Sequence, residues 1–178
     1  MIFLVVSDLH GAVEAADIIP DLLQMHKADT LILLGDLLYH GPRNPMHPSY
    51  EPAKTAELLN KLSCRIIAVK GNCDAKVDLS LLDFPVANDF SWLYLENKAV
   101  FLTHGDVYLP NPPIKQGDIC LYGHTHIPEA SYRGGAYFFN PGSIAKPKHG
   151  YAQSYGVLKP NLFSVFNLDG ESFLHSEF

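Results

Sequence analysis

The sequence predicts an α/β protein, a β-sandwich of two mixed sheets flanked by α-helices. Two features of the element pattern point there. The first half alternates apolar, β-branched runs with helical stretches, and the second half is mostly strand punctuated by turn residues. Packed around one core, such elements form two layers of sheet with helices outside. A third observation is that no repeat, low-complexity tract or linker interrupts the 178 residues, so residues 1–178 read as a single domain. A chain of this size hides roughly 70% of the surface that it exposes unfolded, enough for a substantial core.

Ile2 to Val6 is a continuous apolar run, as in a strand covered on both faces. A helix is expected from Val13 to about Met25, with Ala15, Ala16, Ile19, Leu22 and Leu23 on its inner face and a kink or break at Pro20. Thr30 to Leu34 is the second strand, and the short links suggest a βαβ unit with a parallel pair. A long connection follows from Leu37 to Tyr50, of a length that is usually functional or mobile. Pro52 suits the first turn of a helix to about Leu62, with Ala56, Leu59 and Leu62 inward. Arg65 to Lys70 is the third strand. Ser91 to Glu96 and Ala99 to Thr103 read as a hairpin about Asn97-Lys98. Ile119 to Tyr122, Ala136 to Phe139, Tyr155 to Leu158, Leu162 to Leu168 and Ser172 to His175 complete the strands.

Composition excludes several classes. Hydrophobic residues are 47% and charged residues 18%, which argues against disorder. The formal net charge of −6 argues against bulk DNA or RNA binding, yet leaves room for a small anion beside a bound divalent cation. Cys64, Cys73 and Cys120 are widely spaced and odd in number, so free thiols in a reducing compartment are expected. Met1 to Val6 lacks the basic start of a signal peptide, and no apolar run approaches the ~20 residues that span a membrane. The expected location is the cytoplasm, without a membrane partner.

Five strands end in short polar motifs: Asp8-Leu9-His10, Gly35-Asp36, Gly71-Asn72, His104-Gly105 and Gly123-His124-Thr125-His126. Ligands bind beyond the carboxyl ends of strands in open α/β sheets. In extended backbone, residues i and i+2 share a side, so Asp8 with His10, and His124 with His126, can face one point. Each motif alone is equally a turn. Together they supply two aspartates, one asparagine and four histidines, all oxygen or nitrogen donors whose unpaired burial would be costly.

In this order, the motif set resembles the calcineurin-like metallophosphoesterases, over nearly the whole chain. Tyr39-His40-Gly41-Pro42-Arg43-Asn44, Gly71-Asn72-Cys73-Asp74 and Asn140-Pro141-Gly142-Ser143 are similar to stretches of the compact bacterial phosphodiesterases in that family. The resemblance implies a metallophosphoesterase-like β-sandwich and two divalent metal ions, manganese before iron, nickel or zinc. It places Asp8, His10 and His126 on one metal, Asn72, His104 and His124 on the other, and Asp36 between them. Asp36, Asn72 and His104 carry catalytic roles as well. The implied reaction is hydrolysis of a small phosphodiester, with in-line attack by a water or hydroxide held between metals ~3.5–4 Å apart. A phosphomonoesterase is the alternative within hydrolases, and a non-catalytic scaffold of the same fold is the alternative outside them. The resemblance also implies a homodimer or homotetramer.

Many relatives carry histidine where this chain has Cys73, so leaving groups that are already acidic, such as aryl groups, are expected to react best. Cys73 otherwise reads as a small residue beneath the site. Asp74 and Asp106 either orient a ligand histidine or sit in exposed turns. Arg43 and Asn44 are candidate phosphate contacts. Lys146, Lys148 and His149 read mainly as a solvated basic cluster, His40 is ambiguous, and His26, His47 and His175 read as structural or exposed.

Overall fold

The computed structural model describes residues 1–178. Strands β1 (Phe3–Val6), β2 (Thr30–Leu33), β3 (Arg65–Val69) and β4 (Val86–Ala87) run parallel, in register Val5↔Ile32↔Ile67 for the first three. On the other side of β1 lie β10 (Ser154–Lys159), β11 (Leu162–Asn167) and β12 (Ser172–Glu177), all antiparallel. This gives a seven-stranded sheet in the order β12-β11-β10-β1-β2-β3-β4. A five-stranded sheet, β5-β6-β7-β9-β8, faces it. It contains the hairpin of β5 (Phe90–Leu95) and β6 (Lys98–Thr103), then β7 (Ile119–Leu121), β8 (Pro128–Arg133) and β9 (Ala136–Pro141). Strands β6, β7 and β9 are mutually parallel.

Strand alternation explains why the β1 and β2 runs are apolar throughout. Phe3, Val5, Ile32 and Leu34 point into the sandwich, where they meet Val100, Leu102, Ile119, Leu121 and Phe139 of the second sheet. Leu4, Val6, Leu31 and Leu33 point the other way, onto α1 (Val13–Asp17), α2 (Ile19–His26) and α3 (Pro52–Asn60). The helix expected from Val13 to Met25 is broken at Ile18, and Pro20 sits in the first turn of α2, where its missing N–H costs no hydrogen bond. A one-turn helix, α4 (Lys76–Leu79), precedes β4.

Helices flank only one face of the sandwich. The outer face of the five-stranded sheet is covered by Tyr108, Leu109 and Ile114 of a loop, packed on Phe101, Cys120 and Phe138. Strand β8 has no counterpart in the sequence reading. Its residues Pro-Glu-Ala-Ser-Tyr-Arg lack apolar alternation, and Pro128 is tolerated because it begins an edge strand. The hairpin turn falls at Glu96-Asn97, one residue earlier than expected, with Glu96 in left-handed backbone.

Gly156 of β10 shows how tightly the sandwich closes. A Cβ there would lie 2.7 Å from the Phe163 ring, which stacks on Phe139 at 4.7 Å between centroids. Gly156→Ala should therefore destabilise the protein by about 1–3 kcal/mol, and adding Phe163→Leu should recover part of that loss. Urea denaturation of the two singles and the double reads the coupling. Strict additivity would mean that the ring is not the obstacle.

Candidate metal centre

The parallel strands put five carboxyl ends on one rim: β1, β2 and β3 from the first sheet, β6 and β7 from the second. All seven predicted ligands meet there. His126 Nε2 lies 3.3 Å from Asp8 Oδ1, and His10 Nε2 lies 3.4 Å from His126 Nε2 and 3.8 Å from Asp8 Oδ1. Asp36 Oδ2 stands between two groups, 3.7 Å from His10 Nε2 and 3.4 Å from His104 Nε2. Beyond it, Asn72 Oδ1 lies 3.2 Å from His104 Nε2 and 2.9 Å from His124 Nδ1. Ligand atoms ~2.1 Å from a common ion are separated by about 3.0–3.5 Å, so these spacings suit coordination.

Main-chain carbonyls set the histidine tautomers. Nδ1–H of His10 donates to Tyr39 O at 2.9 Å, that of His104 to Leu34 O at 2.7 Å, and that of His126 to Lys146 O. A carbonyl cannot donate, so Nδ1 keeps its proton and Nε2 faces the site. Burial holds His10 below the usual imidazole range and His126 at about 4, so both stay neutral near pH 7. With Asp8 ionised, their two Nε2 lone pairs and Asp8 Oδ1 face one another with no donor among them. Asp8 Oδ1 is buried without any hydrogen-bond partner. Three converging acceptors need a cation, and this donor set fits one.

Charge elsewhere in the cluster is partly compensated by protons. Burial opposes the charge on His104, but its contact with Asp36 and the charges of Asp8 and Asp36 outweigh this and raise it to about 9. Burial, with the neighbouring Asp36, pushes Asp8 up. Burial also acts on Asp36, yet the His104 contact and the Cys73 N–H, which donates to Oδ1 at 2.8 Å, keep it below the usual carboxylate range.

Convergence does not arise from extended backbone, as the i, i+2 reading assumed. Asp8, His10, Asp36, His124 and His126 are all left-handed, with φ of +57°, +49°, +53°, +63° and +60°. Each costs roughly 1–2 kcal/mol in a non-glycine residue. The sequence signal for this is weak: aspartate and histidine enter left-handed backbone more often than most residues, but glycine is its usual mark.

The supporting residues were only partly anticipated. Asp74 is buried and orients no histidine. It accepts N–H bonds from Asp36 (2.9 Å), Leu37 (2.8 Å) and Gly71 (2.9 Å), pinning the left-handed turn at Asp36. Burial, with the charge of Asp36, raises Asp74 to about 6 against the Gly71 and Leu37 N–H bonds. Asp106 is exposed in a turn and makes no side-chain hydrogen bond, which selects the second of its two readings; the carbonyls orient the histidines. Cys73 borders the cavity, with its thiol pushed up to about 12 by burial and the charge of Asp36. Asn140 and Ser143 also support the centre. Asn140 Nδ2 donates to Gly123 O (2.8 Å) and Thr125 Oγ1 (3.0 Å), and Ser143 Oγ donates to Asp8 O (2.9 Å), tying the β7 and β1 ends to the turn after β9. Ser7 Oγ donates to Asp8 Oδ2 at 2.7 Å, and a Cβ on Gly123 would lie 1.9 Å from that hydroxyl.

A cavity of about 150 Å³ opens over the cluster, lined by Asp36, Asn72, His124 and His126, with Arg43, Asn44 and Lys148 around it. Both predicted phosphate contacts are therefore at the site, and Lys148 joins them rather than lying on a remote surface. His40 packs between Tyr39 and Tyr50, at 4.6 and 5.2 Å between ring centroids, and does not line this cavity.

A sandwich with metal ligands on one rim and a polar, cation-bordered cavity above them is the architecture of a metal-dependent hydrolase of phosphate esters. A model of the calcineurin-like phosphoesterase superfamily domain matches residues 1–161, and the chain belongs to that superfamily. Phosphodiesterase YfcE of Escherichia coli is 44% identical over 170 residues, 94% of this chain and 92% of that protein. The structure of YfcE, a phosphoesterase from E. coli, superposes with a TM-score of 0.95 at 40% identity over 99% of both chains. Vacuolar protein sorting 29 from Cryptosporidium parvum, with TM-score 0.69 and 22% identity over 99% of this chain and 97% of that one, shares the fold. No helix of the chain is long and apolar enough to cross a membrane.

Two outcomes test the support of the centre. Asp74→Ala strands three buried N–H groups and should cost about 3 kcal/mol or more by denaturant titration. Asp74→Asn should not rescue it, because both carboxylate oxygens already accept N–H groups and an amide –NH₂ cannot. At half-buried His124, glycine should leave the metal-free protein about 1 kcal/mol more stable than alanine, since only glycine escapes the left-handed strain. Equal stabilities would remove strain from the account.

Proposed function

We propose that the chain is a dinuclear, metal-dependent phosphodiesterase that hydrolyses small phosphodiesters by in-line attack of water. The observation that carries this reading is the face-to-face placement of Asp8 Oδ1, His10 Nε2 and His126 Nε2, acceptors without a donor. Asp8, His10 and His126 would hold one ion, Asn72, His104 and His124 the second, with Asp36 shared. Two divalent cations there would supply Lewis acidity, lowering the pKa of a water and drawing charge from the phosphoryl oxygens. Manganese is the proposed metal; iron, nickel and zinc suit the same nitrogen and oxygen donors.

The chain's own residues do the rest. Arg43, Asn44 and Lys148 border the cavity and would hold the phosphate oxygens, a forked guanidinium being suited to two of them. Asn72 and His104 would fix the phosphoryl group against the bridging carboxylate of Asp36. Cys73 stands where an imidazole would be a proton donor, and its thiol is a weak acid. The departing oxygen therefore gains little proton assistance, and acidic, aryl-type leaving groups are favoured. Likeness to a phosphodiesterase at 44% identity supports diesters. The pair Arg43 and Lys148 favours a second reading, a phosphomonoesterase, because a dianion needs more positive charge. Unpaired Cys64, Cys73 and Cys120 support a cytoplasmic location. A homo-oligomer belongs to the same proposal, supported by exposed Phe90, Trp92 and Tyr94 along edge strand β5.

Metal-stripped protein should hydrolyse bis-p-nitrophenyl phosphate only after manganese is added, and faster than p-nitrophenyl phosphate. Asp36→Ala should lower that turnover by more than about 100-fold, beyond the usual effect of outer residues. Across substituted phenyl diesters, rates should fall as the leaving-group pKa rises; a flat series would refute the role given to Cys73. No turnover with any divalent metal would return the chain to a scaffold.

A further inference from the structure

The cavity over the metal ligands, about 150 Å³, is too small for more than the phosphoryl group, since pockets for small molecules span ~300–1,000 Å³. A second cavity of about 380 Å³ adjoins it and shares Asn44, His126 and Lys148 with it. One wall is the loop Asn44–Pro48, the other is the turn Ala145–Lys148, and His126 contributes to both cavities. The walls are tied together, because the Lys146 ammonium donates to the Pro45 carbonyl. The Lys146 carbonyl in turn accepts the Nδ1–H of His126, so the turn is fixed to a metal ligand.

The character of the walls changes sharply from one cavity to the other. The first is polar. The second presents three proline rings, Pro45, Pro48 and Pro147, with the thioether of Met46 and the methyl of Ala145. Its polar groups are largely engaged within the walls. Lys146 is bonded as above, and His47 Nδ1 accepts the Ser49 N–H at 3.2 Å. Proline rings and a thioether pack well on flat, polarisable surfaces, and Met46 is 61% exposed.

We infer that this cavity is a subsite for a planar aromatic ester substituent of the phosphodiester whose phosphate occupies the metal centre. The inference rests on the phosphodiesterase reading and names its substrate class: diesters with at least one aromatic group on phosphorus. Lys148 stands between the two cavities and would meet the anionic phosphate, while the ring lies between the loop and the turn. Specificity would then reside in Met46 and the prolines, none of which is a metal ligand.

Isothermal titration of the full, manganese-loaded chain with inorganic phosphate, methylphosphonate and phenylphosphonate tests it without turnover. Phenylphosphonate should bind about tenfold more tightly than methylphosphonate, as expected for partial burial of one ring. Met46→Ser should shrink that ratio, and Met46→Ser with Pro147→Ser should bring it close to one. Phosphate affinity should be unchanged in both. The residues lie at the surface, and an unchanged melting temperature would show that the fold is kept. Equal affinity of the two phosphonates in the wild type, with phosphate still bound, would overturn the subsite alone. A preference that survives the double substitution would overturn it too. If phosphate itself fails to bind the loaded protein, the metal-centre reading falls and the subsite with it.

Discussion

Three acceptor atoms facing one another, Asp8 Oδ1, His10 Nε2 and His126 Nε2, form the constraint around which this rim is built. With Asp8 ionised none can satisfy another, and burial withholds water from Asp8 Oδ1. Such an arrangement persists only if the rest of the chain holds it. The main-chain carbonyls of Tyr39 in the long connection and of Lys146 in the turn after β9 hold His10 and His126, and that of Leu34 after β2 holds His104 beside them. Histidines donating to carbonyls are fixed in ring orientation as well as tautomer, which is why a cation would find its ligands already placed.

The same constraint accounts for the backbone. Five left-handed residues at the strand ends are a local cost, and each is over-determined by its surroundings. Asp36 is held by the three N–H bonds to Asp74, the end of β7 by Asn140, and Asp8 by Ser7 and Ser143. These residues touch no reacting atom. They make a turn that its own sequence would not choose.

Residue types were legible in the sequence, and conformation was not. Donors placed immediately after apolar runs picked out the seven side chains that meet at the rim, because parallel strands must bring their carboxyl ends together. The βαβ start, the hairpin and the proline-marked break between α1 and α2 followed from periodicity and turn chemistry. Strand β8 escaped because an edge strand needs no apolar face. The roles of Asp74 and Asp106 were indistinguishable, since both are aspartates beside a ligand. Only tertiary structure brings the Asp36 and Leu37 N–H groups to one of them. Lys148 lies in a stretch that reads as surface, yet the carbonyl bond from His126 pulls its turn to the cavity.

Fold and centre are separable in energetic terms. The cluster between the sheets, from Phe3 and Val5 to Phe139 and Phe163, is wholly apolar and contains no ligand. The centre sits outside it, at the rim, and adds buried charge and left-handed strain rather than cohesion. The apolar cluster would be left whole if the rim donors were replaced. The converse does not hold. Ligands that depend on carbonyls from three distant segments cannot assemble until both sheets have packed. Seven donors brought together at a rim that adds no apolar contact to the core point to chemistry rather than to architecture.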